Sequence, residues 1–335
     1  MSGTLASTSS PVTPALREIQ LPVRDRLDLV VEEMTRIVSS DLPLIADVSR
    51  HLLRARGKLF RPTLTLLSSA VEERPRERAI AIAAAVELMH LATLVHDDSV
   101  DHSVLRRGLP TVNSLFSHQV SVIMGDFLYS RALTALVNDG DIEVLRILTR
   151  VSNELTIGEM RQLAAVDRLG FPESEYYELI RSKTATLLSA ACEVGALCGA
   201  GPHREALARY GDRLGMAFQI ADDILDYVED SSVTGKPSGL DLKEHKVTLP
   251  LIAALRRMPA AHRARVEELF AAEVPGDDLV ADVVSIVTDA GGIDYARRQG
   301  EQFAREAEAA LDGLRESPAR AALVEAIGYV TARRS

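Results

Sequence analysis

From Arg24 onward the apolar residues of this chain recur every three or four positions almost without a break, a rhythm that leaves little room for anything but packed helices. Leu27, Val30, Val31, Met34 and Ile37 mark the first stripe. Similar stripes predict helices over roughly 43–55, 60–72, 76–103, 113–137, 141–167, 173–199, 203–230, 245–257, 260–270, 277–290, 293–313 and 317–332. Breakers separate many of them, at Arg56-Gly57, Gly108-Leu109-Pro110, Asn138-Asp139-Gly140, Gly170-Phe171-Pro172 and Gly201-Pro202. No alternating run with hairpin turns suggests a sheet. Several long helices without coiled-coil heptads point to an all-α fold, a single large helical bundle with a cavity among its helices. Residues 1–20, rich in Ser, Thr and Pro, read as a flexible N-terminal tail, with 21–335 as one domain. The polar, glycine-bearing stretch from Ser231 to His245 is the one long irregular segment, and such loops are often functional.

Hydrophobic residues make up 47% of the 335 but aromatics only 4%, with no Trp, so the core must be aliphatic. A net charge of −10 argues against a nucleic-acid surface, which would need basic residues to neutralise phosphates. Cys192 and Cys198 are too few for a disulfide framework and lack zinc-ligand spacing. The longest uninterrupted apolar run, Ala79 to Val86, is far below the ~18 residues of a transmembrane helix. No secretory signal is visible in MSGTLASTSSPVTPA. Together these features predict a cytoplasmic protein without a transmembrane segment.

Two acidic clusters stand out. Asp97, Asp98 and Asp101 share one pattern, Asp-Asp-x-x-Asp, with Asp222, Asp223 and Asp226. The spacing sets the outer carboxylates at i and i+4 on one helix face, where like charges repel. Both clusters fall near the predicted C-terminal ends of their helices, where the helix dipole also disfavours anions. A divalent cation is the simplest compensation, and an oxygen-only donor set points to Mg²⁺ shared with substrate phosphates. Basic residues beside the clusters and glycine-prolines supply a phosphate side: Lys58, Arg61, Arg106, Arg107, Lys183, Lys236 and Lys246.

Read in order, these blocks resemble the polyprenyl synthetase family of all-trans isoprenyl diphosphate synthases. GKLFRP, ELMHLATLVHDDSVDHSVLRRGLPT, GDFLYSRA, SKTATL, FQIADDILD and GKPSGLDLKEHKVTLP each match a family motif, and the match covers about residues 25–333. One departure is His245, where the family usually has Gly before the loop lysine, which puts the local turn in question.

The resemblance implies an isoprenoid-synthase bundle with a deep central cavity, and a prenyltransferase that joins isopentenyl diphosphate to an allylic diphosphate primer. Asp97, Asp98, Asp101, Asp222, Asp223 and Asp226 would bind Mg²⁺, three ions per site with substrate present. Arg106, Lys183, Lys236 and Lys246 would hold the allylic diphosphate, and Thr184 and Gln219 would face the developing cation. Lys58, Arg61, His90 and Arg107 would hold isopentenyl diphosphate; His96 reads as structural. A homodimer formed through the apolar stretch around 113–137 is expected, with product passed to membrane enzymes. Ala92 and Thr93 lie one turn before Asp97, roughly 6–8 Å deeper along the helix. Short-chain bacterial farnesyl synthases tend to carry an aromatic there, so the small pair implies a hexaprenyl to decaprenyl product. The alternatives are a short-chain farnesyl or geranylgeranyl synthase and a non-catalytic partner subunit.

Overall fold

The computed structural model describes residues 13–55, 57–72, 77–228 and 239–332. Helices dominate: α1 (Pro14–Gln20), α2 (Arg24–Ile37), α3 (Pro43–Arg54), α4 (Phe60–Ala70), α5 (Arg78–Val100), α6 (Val112–Leu115), α7 (His118–Asp139) and α8 (Ile142–Ala165). After these come α9 (Glu173–Ile180), α10 (Thr186–Gly199), α11 (Arg204–Val228), α12 (Leu240–Lys243), α13 (Leu249–Leu255), α14 (Ala260–Ala271), α15 (Asp277–Asp289), α16 (Gly292–Ala309) and α17 (Pro318–Thr331). The all-α expectation is met. The chain forms two compact units: Met1–Thr149, Ala191–Leu207 and Leu314–Leu323, and Arg150–Ala190, Ala208–Gly313 and Val324–Ser335.

In the first unit α5 is the core helix. Ile82, Val86, Leu88 and the alanines between them are buried on every side, so it lacks a polar stripe along most of its length. It packs against α7, α2 and α4. Both α5 and α7 are long and apolar enough to cross a membrane by length and composition. The burial of α5 accounts for its composition. By contrast α7 leaves Val122, Ile123 and Val137 exposed. In the second unit α13, buried at all seven positions, packs on α16 and α15, and α14 packs on α15.

Three local expectations need correction. The tail reading fails for Pro14–Gln20, which is helical: Pro14 suits the first turn, and Leu16 and Ile19, at i and i+3, are fully buried. The helix expected from 245 starts only at Leu249: His245 lies in a turn with φ at 54°, Thr248 is extended, and Pro250 falls in the first helical turn, where its missing N–H costs nothing. The third is a small antiparallel ladder. Leu105–Arg106 (β1) pairs with Leu109–Pro110 (β2), and Arg107 and Gly108 between them have φ of 52° and 76°, the signs of a type I′ turn.

Candidate active site

The first unit gathers the residues expected to meet isopentenyl diphosphate. Arg61 sits in the first turn of α4, while Glu87 and His90 lie one turn apart on α5. Arg107 reaches back from the hairpin over Gly57, where a Cβ would lie 2.3 Å from its Nη1; a side chain at 57 would displace the guanidinium. Burial pushes the Arg61 guanidinium down to about 10, opposed by the nearby Glu87 carboxylate. Burial likewise raises the Glu87 carboxyl and holds the His90 imidazole well below its usual value, reinforced there by Arg61 and Arg107. Arg61 Nε and Glu87 Oε2 are shielded from solvent without a hydrogen-bond partner. Such groups are costly to leave unmade, and the free Arg61 Nε–H is a donor that suits the acceptor oxygens of an incoming anion. Glu87 Oε2 is an acceptor and offsets the charge of Arg61 instead. Lys58 is fixed from the N-terminus: Gln20 Nε2 donates to its carbonyl at 2.9 Å and to Thr63 Oγ1 at 3.1 Å.

The first aspartate cluster closes α5. Asp98 is buried and accepts from Arg106 Nε at 2.7 Å, while burial still raises its carboxyl. Asp97 is half-buried, and Asp101 caps the helix through its backbone N–H to the Asp97 carbonyl at 2.8 Å, with its side chain exposed. One turn deeper, Ala92 is buried and half-buried Thr93 donates to the His90 carbonyl at 2.8 Å. His96 Nε2 lies 3.2 Å from the Val122 carbonyl and 3.3 Å from Asp126, contacts that bind α5 to α7.

The second cluster, near the end of α11, has different surroundings. Asp223 is buried and accepts from Tyr176 Oη at 2.6 Å and Gln219 Nε2 at 2.8 Å. Burial, with Asp241 adding to it, pushes its carboxyl well above the usual range. Burial and Asp226 push Asp241 up to about 7. Asp226 accepts from the backbone N–H of Leu240 and of Asp241, both at 3.0 Å, tying α12 to α11. Asp222 is exposed. A cavity of about 200 Å³ brings Asp222, Asp223 and Asp241 together with Lys183, Lys246 and Gln219, and its apolar wall includes Ala165, Phe171 and Ile180. Lys183 Nζ is 3.1 Å from Glu159, and Lys246 Nζ is 2.5 Å from Glu244 and 3.7 Å from Asp241.

Lys183 and Thr184 lie on a π-helical turn, Arg181–Ala185, between α9 and α10. Gly158 on α8 makes room for it, since a Cβ there would come within 2.9 Å of the Lys183 backbone nitrogen. Thr184 Oγ1 then donates to Gln219 Oε1 at 2.7 Å, and Gln219 in turn donates to Asp223. The questioned turn at His245 does form, with φ at 54°. Lys236 lies outside the described residues. Sequence reasoning missed Glu87, Tyr176 and Asp241. Glu87 carried a signal, a carboxylate inside an apolar run three residues before His90; Tyr176 meets Asp223 only through the fold, 47 positions away.

The carboxylates suit a hard divalent cation: oxygen-only donors, flanked by lysines that could hold the other side of a bridging phosphate. Among the described residues no three His, Cys, Asp or Glu side chains already converge as a closed cage. A cation here would complete its shell with substrate oxygens and water, as Mg²⁺ does.

The family model described as polyprenyl synthetase matches residues 42–287. The chain is 37% identical over 310 residues to an all-trans-nonaprenyl-diphosphate synthase (geranyl-diphosphate specific) of Rhodobacter capsulatus, covering 92% of this chain and 95% of that one. It is 35% identical over 326 residues to a short chain isoprenyl diphosphate synthase of Methanothermobacter thermautotrophicus, covering 95% and 99%. Among solved structures, a polyprenyl synthase from Caulobacter crescentus complexed with calcium and isoprenyl diphosphate superposes with a TM-score of 0.90 at 33% identity, covering 97% and 100%.

Proposed function

Because this chain belongs to the polyprenyl synthetase family and is a prenyltransferase, we propose that it condenses isopentenyl diphosphate with an allylic diphosphate, using Mg²⁺, to make an all-trans product of hexaprenyl to decaprenyl length. The observation that carries the chemistry is the grouping of Asp222, Asp223, Lys183 and Lys246 around one cavity. Lys183, Lys246 and Arg106, with Lys236, hold the allylic diphosphate, and the aspartates of both clusters hold the metal. Bound Mg²⁺ neutralises charge as diphosphate departs. Lys183 and Lys246 stabilise the same charge from fixed positions, in a site whose apolar wall keeps water away. Thr184 and Gln219, linked to each other and to Asp223, present oxygen dipoles to the allylic cation. Lys58, Arg61, His90 and Arg107 hold isopentenyl diphosphate without metal; half-buried His90 stays neutral and acts as a hydrogen-bonding partner rather than a charge.

Residues 21–335 act as one polyprenyl synthetase domain in the cytoplasm. The exposed apolar face of α7, Val122, Ile123 and Val137, is covered by a second copy of the chain. The long product rests on Ala92, too small to floor a channel beside Asp97, together with the similarity to a nonaprenyl synthase. The similarity to a short-chain synthase favours the competing reading, a fifteen- or twenty-carbon product. Incubation with isopentenyl diphosphate, farnesyl diphosphate and Mg²⁺, with product length read by mass spectrometry, decides between them. We expect thirty to fifty carbons from the wild type and, from Ala92→Tyr, products shortened toward fifteen or twenty. A wild type that stops at farnesyl diphosphate, or an Ala92→Tyr enzyme with products no shorter, refutes the long channel. No condensation at all refutes the transferase reading in favour of a silent partner subunit.

A further inference from the structure

His245 adopts φ of 54°, a conformation that glycine enters freely and a residue with a Cβ enters only at a cost. Something must offset that cost, and the ring's contacts are the candidate. His245 Nδ1 donates to Asp167 Oδ1, and the ring stacks on Phe270 of α14 with centroids 5.3 Å apart. The backbone returns the contact: Asp167 N–H donates to the His245 carbonyl at 3.2 Å. Asp167 has a positive φ of its own, 62°. The two residues thus grip each other through side chain and main chain, and each stands next to a wall of the same cavity. Asp167 follows Ala165 and Val166 at the end of α8; His245 precedes Lys246, Val247 and Thr248.

We propose that His245 and Asp167 form a clamp that positions Lys246 in the cavity, so that the family's permissive glycine is replaced here by a fixed hinge. His245 is a positioning residue: it is not among the cavity's lining residues and acts on the diphosphate through Lys246. With glycine at 245 the backbone bonds of the turn would remain, the residue 245 and Lys246 N–H groups donating to the Leu242 and Asp241 carbonyls. The side-chain grip on Asp167 and the stacking on Phe270 would be lost, and Lys246 would sit on a looser support. The proposal rests on reading Lys246 as a ligand of the allylic diphosphate.

The test compares wild type, His245→Gly, His245→Asn, Asp167→Ala and the double variant His245→Gly with Asp167→Ala. Glycine suits the backbone, so folding is preserved, and thermal melts verify it. The expected result for His245→Gly is a rise of about three- to tenfold in KM for farnesyl diphosphate, the size of one lost positioning hydrogen bond. Its kcat stays within about twofold, separating binding from chemistry. Asp167→Ala does the same, the double variant is no worse than either single one, and His245→Asn, able to take the positive φ and donate to Asp167, restores affinity. Calorimetric binding of inorganic pyrophosphate with Mg²⁺ present, and with isopentenyl diphosphate saturating the other diphosphate site, weakens by the same factor, a readout that stands even if the wild type transfers no prenyl group. Unchanged KM and pyrophosphate affinity in His245→Gly, a fall confined to kcat, additive effects in the double variant, or no recovery with Asn would overturn the clamp.

Discussion

The same five-residue acidic pattern occurs twice in this chain, and the two copies live in opposite electrostatic settings. At the first, Asp98 already has a cation: Arg106 meets it at 2.7 Å, and Arg107 and Arg61 lie in the same unit. At the second, Asp223 is buried with neutral donors, Tyr176 and Gln219, and its strongest charged neighbour is another carboxylate, Asp241. In one cluster the buried aspartate is paired directly with an arginine; in the other it lies beside a second carboxylate, and Lys246, 3.7 Å from Asp241, offsets only part of their charge. Identical spacing therefore does not mean identical tasks. We expect the second to depend more than the first on a bound divalent cation, because its own side chains offset less of its charge.

The largest effect should come from removing an outer carboxylate from either copy. Asp97→Ala and Asp222→Ala should each lower steady-state turnover by at least about a hundredfold, the scale of a lost major electrostatic contact. EDTA should abolish activity, and normal turnover in either variant would show that one copy is dispensable. A smaller effect separates the two settings. Tyr176→Phe removes a buried donor from a carboxylate and should cost about 1.5–3 kcal/mol of stability in urea unfolding. Arg106→Ala removes a partly exposed partner from Asp98 and should cost under about 1 kcal/mol, since water screens such pairs. Equal losses would erase the contrast. Glu87→Gln comes last and falls between those two: it should destabilise the substrate-free protein by about 1–2 kcal/mol because half-buried Arg61 loses its compensating charge. Thermal melts should show that deficit shrinking when isopentenyl diphosphate supplies the missing anion; a deficit that persists would mean Glu87 acts by packing alone.

Much of this contrast was invisible in the sequence. Helices and aspartate patterns are local: a 3.6-residue rhythm and an i, i+4 spacing can be read from a short window, and α2, α5 and α11 lie close to where the stripes put them. What surrounds each aspartate is not local. Tyr176 and Asp241 reach the second cluster through chain folding, and nothing in FQIADDILD says that its middle aspartate meets neutral donors and another carboxylate while its counterpart in LVHDDSVD meets an arginine. Pro14–Gln20 was obscured by the composition of the residues before it, although Leu16 and Ile19 carry the stripe. His245 was legible only as a departure. Its purpose needed Asp167, 78 positions away, and Phe270.

The π-helical turn at Arg181–Ala185 carries a consequence for how this chain can vary. Such a turn accommodates one residue more than an α-helical one, so it behaves as an inserted residue absorbed without a loop. Deleting a single residue between 181 and 185 would leave an unbroken α-helix that any local propensity would accept. It would also rotate every upstream side chain on that helix by about 100° relative to the downstream ones. Tyr176 would then leave Asp223 while the helix remained intact. The reading frame of the helix, counted in residues per turn, is thus part of the active site, and chains of this kind should tolerate substitutions in this segment far better than a change in its length.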